Sequence, residues 1–153
     1  SIPEAYASLS LLDATQGNIA SARSHMKHAV EMATDVAAIR IVQARMHRML
    51  GEPQRGAEIL FALPPADRAM ESTATELARC WGAIGQHARA ADAWAACYQS
   101  LAHRSDAWRF AIEAAKSSLR AGDQPRAASF LNQAVYLSAP PAEVEAARRT
   151  QSS

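Results

Sequence analysis

Little in this chain invites chemistry. Its 153 residues hold two cysteines, Cys80 and Cys97. That is too few for a disulfide framework; one bridge between them or two free buried thiols both fit, and the redox compartment stays open. Aromatic residues make up 6%. Asparagine occurs only as Asn18 and Asn132. No stretch approaches the 18 apolar residues of a membrane-crossing helix. A formal net charge of +1 gives no global attraction to nucleic acid or to a membrane surface. There is no glycine-rich phosphate loop, no nucleophile elbow, and no pair of carboxylates set for acid–base work. No alternation of β-branched and polar residues suggests a strand. No basic start followed by an apolar run marks a secretory signal. The chain opens at Ser1 without a methionine and closes in a helix-forming stretch, so the expectation is a piece of a longer protein.

What is present is helix-forming material: alanine above all, then Leu, Met, Arg, Gln and Glu. Breakers cut it into lengths of ten to fifteen residues. They stand at Gly17-Asn18, Gly51-Glu52-Pro53, Pro64-Pro65, Gly85, Gly122-Asp123 and Pro140-Pro141. The distances between glycines carry the argument. Gly17 to Gly51 is 34 residues, Gly51 to Gly85 is 34, and Gly85 to Gly122 is 37. A similar run follows each glycine. Five residues on stands Ala22, Gly56, Ala90 or Ala127; nine on stands Met26, Leu60, Trp94 or Leu131. Two antiparallel helices approach closely only where the crossing residues are small, and the larger side chain one turn later fills the space beside them. A single hairpin cannot cover its own apolar face, so several must stack.

A 34-residue helix–turn–helix period resembles the tetratricopeptide repeat family. The resemblance runs from about Ala5 to Pro140. Tyr6 and Leu9 stand at the family's aromatic and leucine positions, as do Leu77, Ala78 and Trp81 at its leucine, small and aromatic positions. Ala139-Pro140 lies near the family's proline. Three features depart from the pattern. The first helix of the second repeat, 37–50, fits better shifted by one position; Gly56 replaces an alanine; and the connection around 102–105 is about three residues long for the period. The resemblance implies an all-α, right-handed solenoid of four repeats over 3–35, 36–69, 70–105 and 106–140. The segment 141–153 fits a capping helix or the start of a further repeat.

The chemical constellations are thin. His25 and His28, spaced i, i+3, lack the further ligands that structural zinc needs, and their register faces solvent; no metal or other cofactor is expected. Cys80 and Cys97 lie in helices near packing positions, where burial makes a thiol inert. His87, at a turn, leaves a Cys–His pair open but without an orienting group. Trp81 and Trp94 stand at core positions, and Trp108 beside the lengthened connection. No enzymatic activity is expected.

In the family, the first helices of successive repeats line a concave groove. Carried onto this chain, the groove positions are Arg45 and Arg48, Arg79, then Arg109, Lys116 and Arg120, with Leu11 and Ala14 forming an apolar end. Glu76 and Glu113 are the main acids in that register, while Glu31, Asp35 and Glu143 are placed elsewhere. The resemblance thus implies a scaffold that holds a partner protein, in particular an acidic peptide segment, with Arg and Lys pairing to carboxylates. The other reading is a periplasmic segment of a bacterial envelope machine such as an exopolysaccharide exporter, guiding an anionic polysaccharide. The alanine- and arginine-rich composition suits a bacterial protein in cytoplasm or periplasm. The family's clamp for chaperone tails uses asparagines that this chain lacks. Neither nucleic-acid binding nor membrane insertion is expected.

Overall fold

The computed structural model describes residues 1–152. Among them there is no strand, and the protein is all-α. Ten helices follow in order: α1 Ile2–Thr15, α2 Ile19–Met32, α3 Val36–Met49, α4 Pro53–Phe61, the single turn α5 Pro65–Arg68, α6 Glu71–Ala83, α7 His87–Leu101, α8 Trp108–Arg120, α9 Gln124–Tyr136 and α10 Pro141–Arg148. They fall into two compact units, the first ending at Asp67 and the second beginning at Arg68.

Four connections between helices are built alike. In each, the glycine adopts positive φ: 78° at Gly17, 79° at Gly51, 75° at Gly85 and 77° at Gly122. At Gly85 the amide donates to the Gly82 carbonyl at 3.0 Å, and the Gln86 amide donates to the Trp81 carbonyl at 2.9 Å. This pair of bonds satisfies the last carbonyls of α6 and turns the chain directly into α7. Gly17-Asn18, Gly51-Glu52 and Gly122-Asp123 make the same two bonds. Asp35 and Asp123 then cap α3 and α9, each accepting a backbone amide at 3.1 Å.

A fifth copy of the turn ends α9, where Ser138 takes φ 66° in place of glycine. Its amide reaches the Val135 carbonyl at 3.0 Å, and the Ala139 amide reaches Ala134 at 2.9 Å. The left-handed conformation costs a side-chain-bearing residue roughly 1–2 kcal/mol, part of which glycine would return as greater unfolded-state entropy. Ser138→Gly is therefore expected to stabilise the chain by up to about 1 kcal/mol in urea unfolding. A loss of stability would mean that the serine side chain contributes something the turn geometry does not.

In the first unit, α1 packs along α2, α3 along α4, and α3 against both α1 and α2. The α1–α2 crossing is made by small residues: Ser10 and Ala22 are fully buried, and the Ser10 hydroxyl donates to the Ala22 carbonyl at 2.6 Å. Ala7, Ala14, Met26, Ala29, Ile39 and Met46 complete this core. In the second unit α7 is sandwiched between α6 and α8, α9 packs on α8, and α10 lies against α8 and α9. Ala111, Ala114, Ala115 and Ala134, all fully buried, allow the close approach, while Phe130, Leu131 and Val144 fill the space between.

The lengthened connection between α7 and α8 is held by charge. The Arg104 guanidinium donates to both carboxylate oxygens of Asp106, at 2.9 and 2.7 Å, and to Glu71 in the first turn of α6 at 3.3 Å. Arg109 reaches the same two acids at 2.8 and 3.1 Å. These bonds hold the Asp106 carboxyl below the ordinary carboxylate range, the Arg104 bond most of all. Phe110 lies under the cluster, fully buried, with Arg104 and Arg109 5.5 and 5.6 Å from its ring centre.

Candidate binding site

The second unit contains a cavity of about 790 Å³, lined by α6, α7, α8 and α10. Its position follows from the packing. Ala78 and Gly82 stand one turn apart on α6, and Ala90 faces the same space from α7. Ala78 and Ala90 are buried, and Gly82 is partly exposed. Trp94 and Trp108, both half-buried, also line the cavity. Trp94 is held in place by Phe110, whose ring is nearly parallel at 15° with centres 6.4 Å apart.

Four of the residues assigned to the groove from sequence come together here: Arg79, Arg109, Lys116 and Arg120 all line this cavity. They are not equivalent. Arg109 is committed to Glu71 and Asp106, and Lys116 to Glu113 at 2.8 Å. Arg79 and Arg120 form no ion pair among the described residues. Two guanidinium groups, on the helices either side of α7, thus line the cavity without a protein carboxylate to saturate them, and each can take a carboxylate through two parallel bonds.

The other residues assigned to the groove do not line this cavity. Leu11 packs half-buried against the core of the first unit, and Ala14 is part of that core. Arg45 and Arg48 also belong to the first unit, where both are half-buried and engaged in contacts. Glu76, taken from sequence as a groove acid, is 1% exposed and has a partner. Glu143, placed elsewhere by the sequence reading, lines the cavity because α10 folds against α8. Four cations therefore share the cavity with three carboxylates, Glu71, Glu113 and Glu143. The site is a patterned surface, not a uniformly basic one.

The histidines also differ from expectation. His25 is half-buried rather than solvent-facing; its Nδ1 lies 2.6 Å from Asp13, which also accepts the Ser21 hydroxyl at 2.9 Å. Together these bonds, the histidine's first, hold the Asp13 carboxyl below its ordinary range. His28 is exposed, with its ring 5.4 Å from that of Tyr6. Buried His47 sits 3.3 Å from Glu52, and desolvation lowers its pKa despite that carboxylate. Among the described residues no group of three His, Cys, Asp or Glu side chains is arranged to hold a metal ion.

Cys80 and Cys97 are free and buried. Burial, reinforced by the nearby Glu71 charge, pushes the Cys97 thiol up to about 11. At neutral pH it is protonated and a poor nucleophile. No helix of the described residues is long and apolar enough to cross a membrane. Compared with known proteins, the chain matches no family model, no curated protein and no solved structure.

Proposed function

We propose that this chain is a tetratricopeptide-type repeat protein that binds another protein, taking an acidic peptide segment in the cavity of its second unit and catalysing no reaction. The observation that carries the reading is the pair of unsaturated guanidiniums, Arg79 and Arg120, on the wall of a concave space of about 790 Å³. A space of this size takes several side chains of an extended peptide or one turn of a helix. Carboxylates of the partner would replace water on both arginines, and the indoles of Trp94 and Trp108 would cover part of the bound chain. The like-built helix connections at 34-, 34- and 37-residue spacing support the repeat assignment. The protonated Cys97 thiol, a poor nucleophile at neutral pH, supports the reading.

The test is selection from a random peptide library on the wild-type chain and on Arg79→Glu/Arg120→Glu. Wild type should enrich Asp- and Glu-rich peptides whose affinity falls as salt rises, because partly exposed charge pairs are screened within about 8 Å at physiological ionic strength. The double reversal should lower their affinity by about tenfold or more, largely through slower association, with the circular dichroism spectrum unchanged. Selected peptides without acidic residues, or equal binding to both proteins, would refute the reading.

A further inference from the structure

One residue on the cavity wall is unexplained by the fold. Gly82 lies in the last turn of α6 with helical backbone, unlike the four glycines whose positive φ the connections require. Glycine in a helix is less favourable than alanine because it gives up more backbone freedom on folding. Close packing does not account for it either: a Cβ built at Gly82 meets nothing within 4 Å. Neither conformation nor neighbours ask for glycine here. What the missing side chain does is leave the α6 backbone bare toward the cavity. It stands one turn beyond Ala78 and faces the same space as Ala90 on α7 and the indole of Trp94, four residues further along α7.

We infer that this bare stretch of α6 is the seat for one large apolar side chain, aromatic or branched, carried by the acidic segment bound in the cavity. The inference rests on the binding reading above and specifies its ligand. Gly82 is partly exposed, and Ala78 and Ala90 beside it, 7% and 3% exposed, present only methyl groups, so these three residues offer a polar group no side-chain hydrogen bond. A flat or branched hydrocarbon group would instead displace water from this stretch and lie against Trp94. Arg79 projects one turn before the end of α6 and Arg120 from the end of α8, both lining the same cavity, so carboxylates flanking the apolar side chain meet the guanidiniums. The ligand is therefore an acidic stretch interrupted by an apolar anchor, not an unbroken acidic run.

Two fluorescein-labelled peptides test this: Glu-Asp-Phe-Asp-Glu, and the same peptide with alanine in place of phenylalanine. Their binding is followed by anisotropy with wild type, Gly82→Ala and Gly82→Leu. On wild type the phenylalanine peptide should bind about tenfold more tightly, the scale of burying one such side chain partway. Gly82→Ala should reduce that preference, and Gly82→Leu should abolish it by occupying the seat. Gly82→Ala should melt at the same temperature as wild type or higher, so weaker binding cannot be attributed to unfolding. Equal affinity of the two peptides for wild type, or a phenylalanine preference that survives Gly82→Leu in a folded protein, overturns the inference while leaving the acidic-segment reading intact. Failure of both peptides to bind wild type removes that reading and the inference with it.

Discussion

Phe110→Ala is expected to cost about 3–5 kcal/mol of stability, the usual range when a buried aromatic side chain is deleted from a core. The ring is 1% exposed in the first turn of α8 and belongs to a cluster with Ala74 of α6, Cys97 of α7 and Ala107. Three helices therefore lose contacts at once. The neighbours cannot close the gap readily, because Ala74 and Ala107 have no side chain to extend and Trp94 is needed where it stands. The guanidiniums of Arg104 and Arg109 would also lose the ring they cover. Trp94 forms part of the cavity wall, so the variant should lose peptide binding together with stability. Chemical unfolding of Phe110→Ala beside Tyr136→Ala, whose ring is 87% exposed, measures the difference. A cost below about 1 kcal/mol for Phe110→Ala would contradict the packing described here.

Ala22→Leu tests the opposite failure, overpacking. Ala22 is fully buried where α2 crosses α1, and its carbonyl accepts the Ser10 hydroxyl at 2.6 Å. Three additional carbons have no space at that crossing. They must push the helices apart or force a strained rotamer, at about 1–3 kcal/mol, and separation also lengthens the Ser10 bond. Ala20→Leu, two residues earlier on the exposed side of the same helix, should stay within about 0.5 kcal/mol of wild type. Similar midpoints for the two variants would mean that the small residue five positions after Gly17 is not a packing requirement.

Ala22 also illustrates what could be read before the structure. The positions five residues after each glycine, Ala22, Gly56, Ala90 and Ala127, are all buried; Met26, Leu60 and Leu131, nine residues after, are buried as well. Such positions are legible because the turn fixes the phase of the following helix, and burial then repeats with the helical period. Glu76 shows where the family register fails: it stands at a groove position by that register, yet it is 1% exposed. Tyr6 and Leu9 carried the family resemblance, yet Leu9 is 44% exposed and Ala7 and Ser10 do the packing in that helix. Arg79, Lys116 and Arg120, which share the groove register, line one cavity of the second unit. Glu143 was missed because its place depends on where α10 docks, which no local signal after Pro140-Pro141 specifies. Ser138 was missed because turn chemistry names glycine or asparagine at that position, and a serine is tolerated there only by the context of the folded chain.

The short connections have a consequence for how the chain reaches this state. Each hairpin joins residues that lie within about one period of each other in sequence, so little loop entropy opposes its closure. Folds dominated by such local contacts have low contact order and typically form in microseconds to milliseconds. Within each unit, folding can begin at whichever hairpin closes first and spread to its neighbour. The α7–α8 junction is the step with the longest connection, and its Arg104–Asp106–Glu71 bonds join residues up to 33 apart. The second unit is therefore complete only when this charged junction has closed as well as the glycine turns.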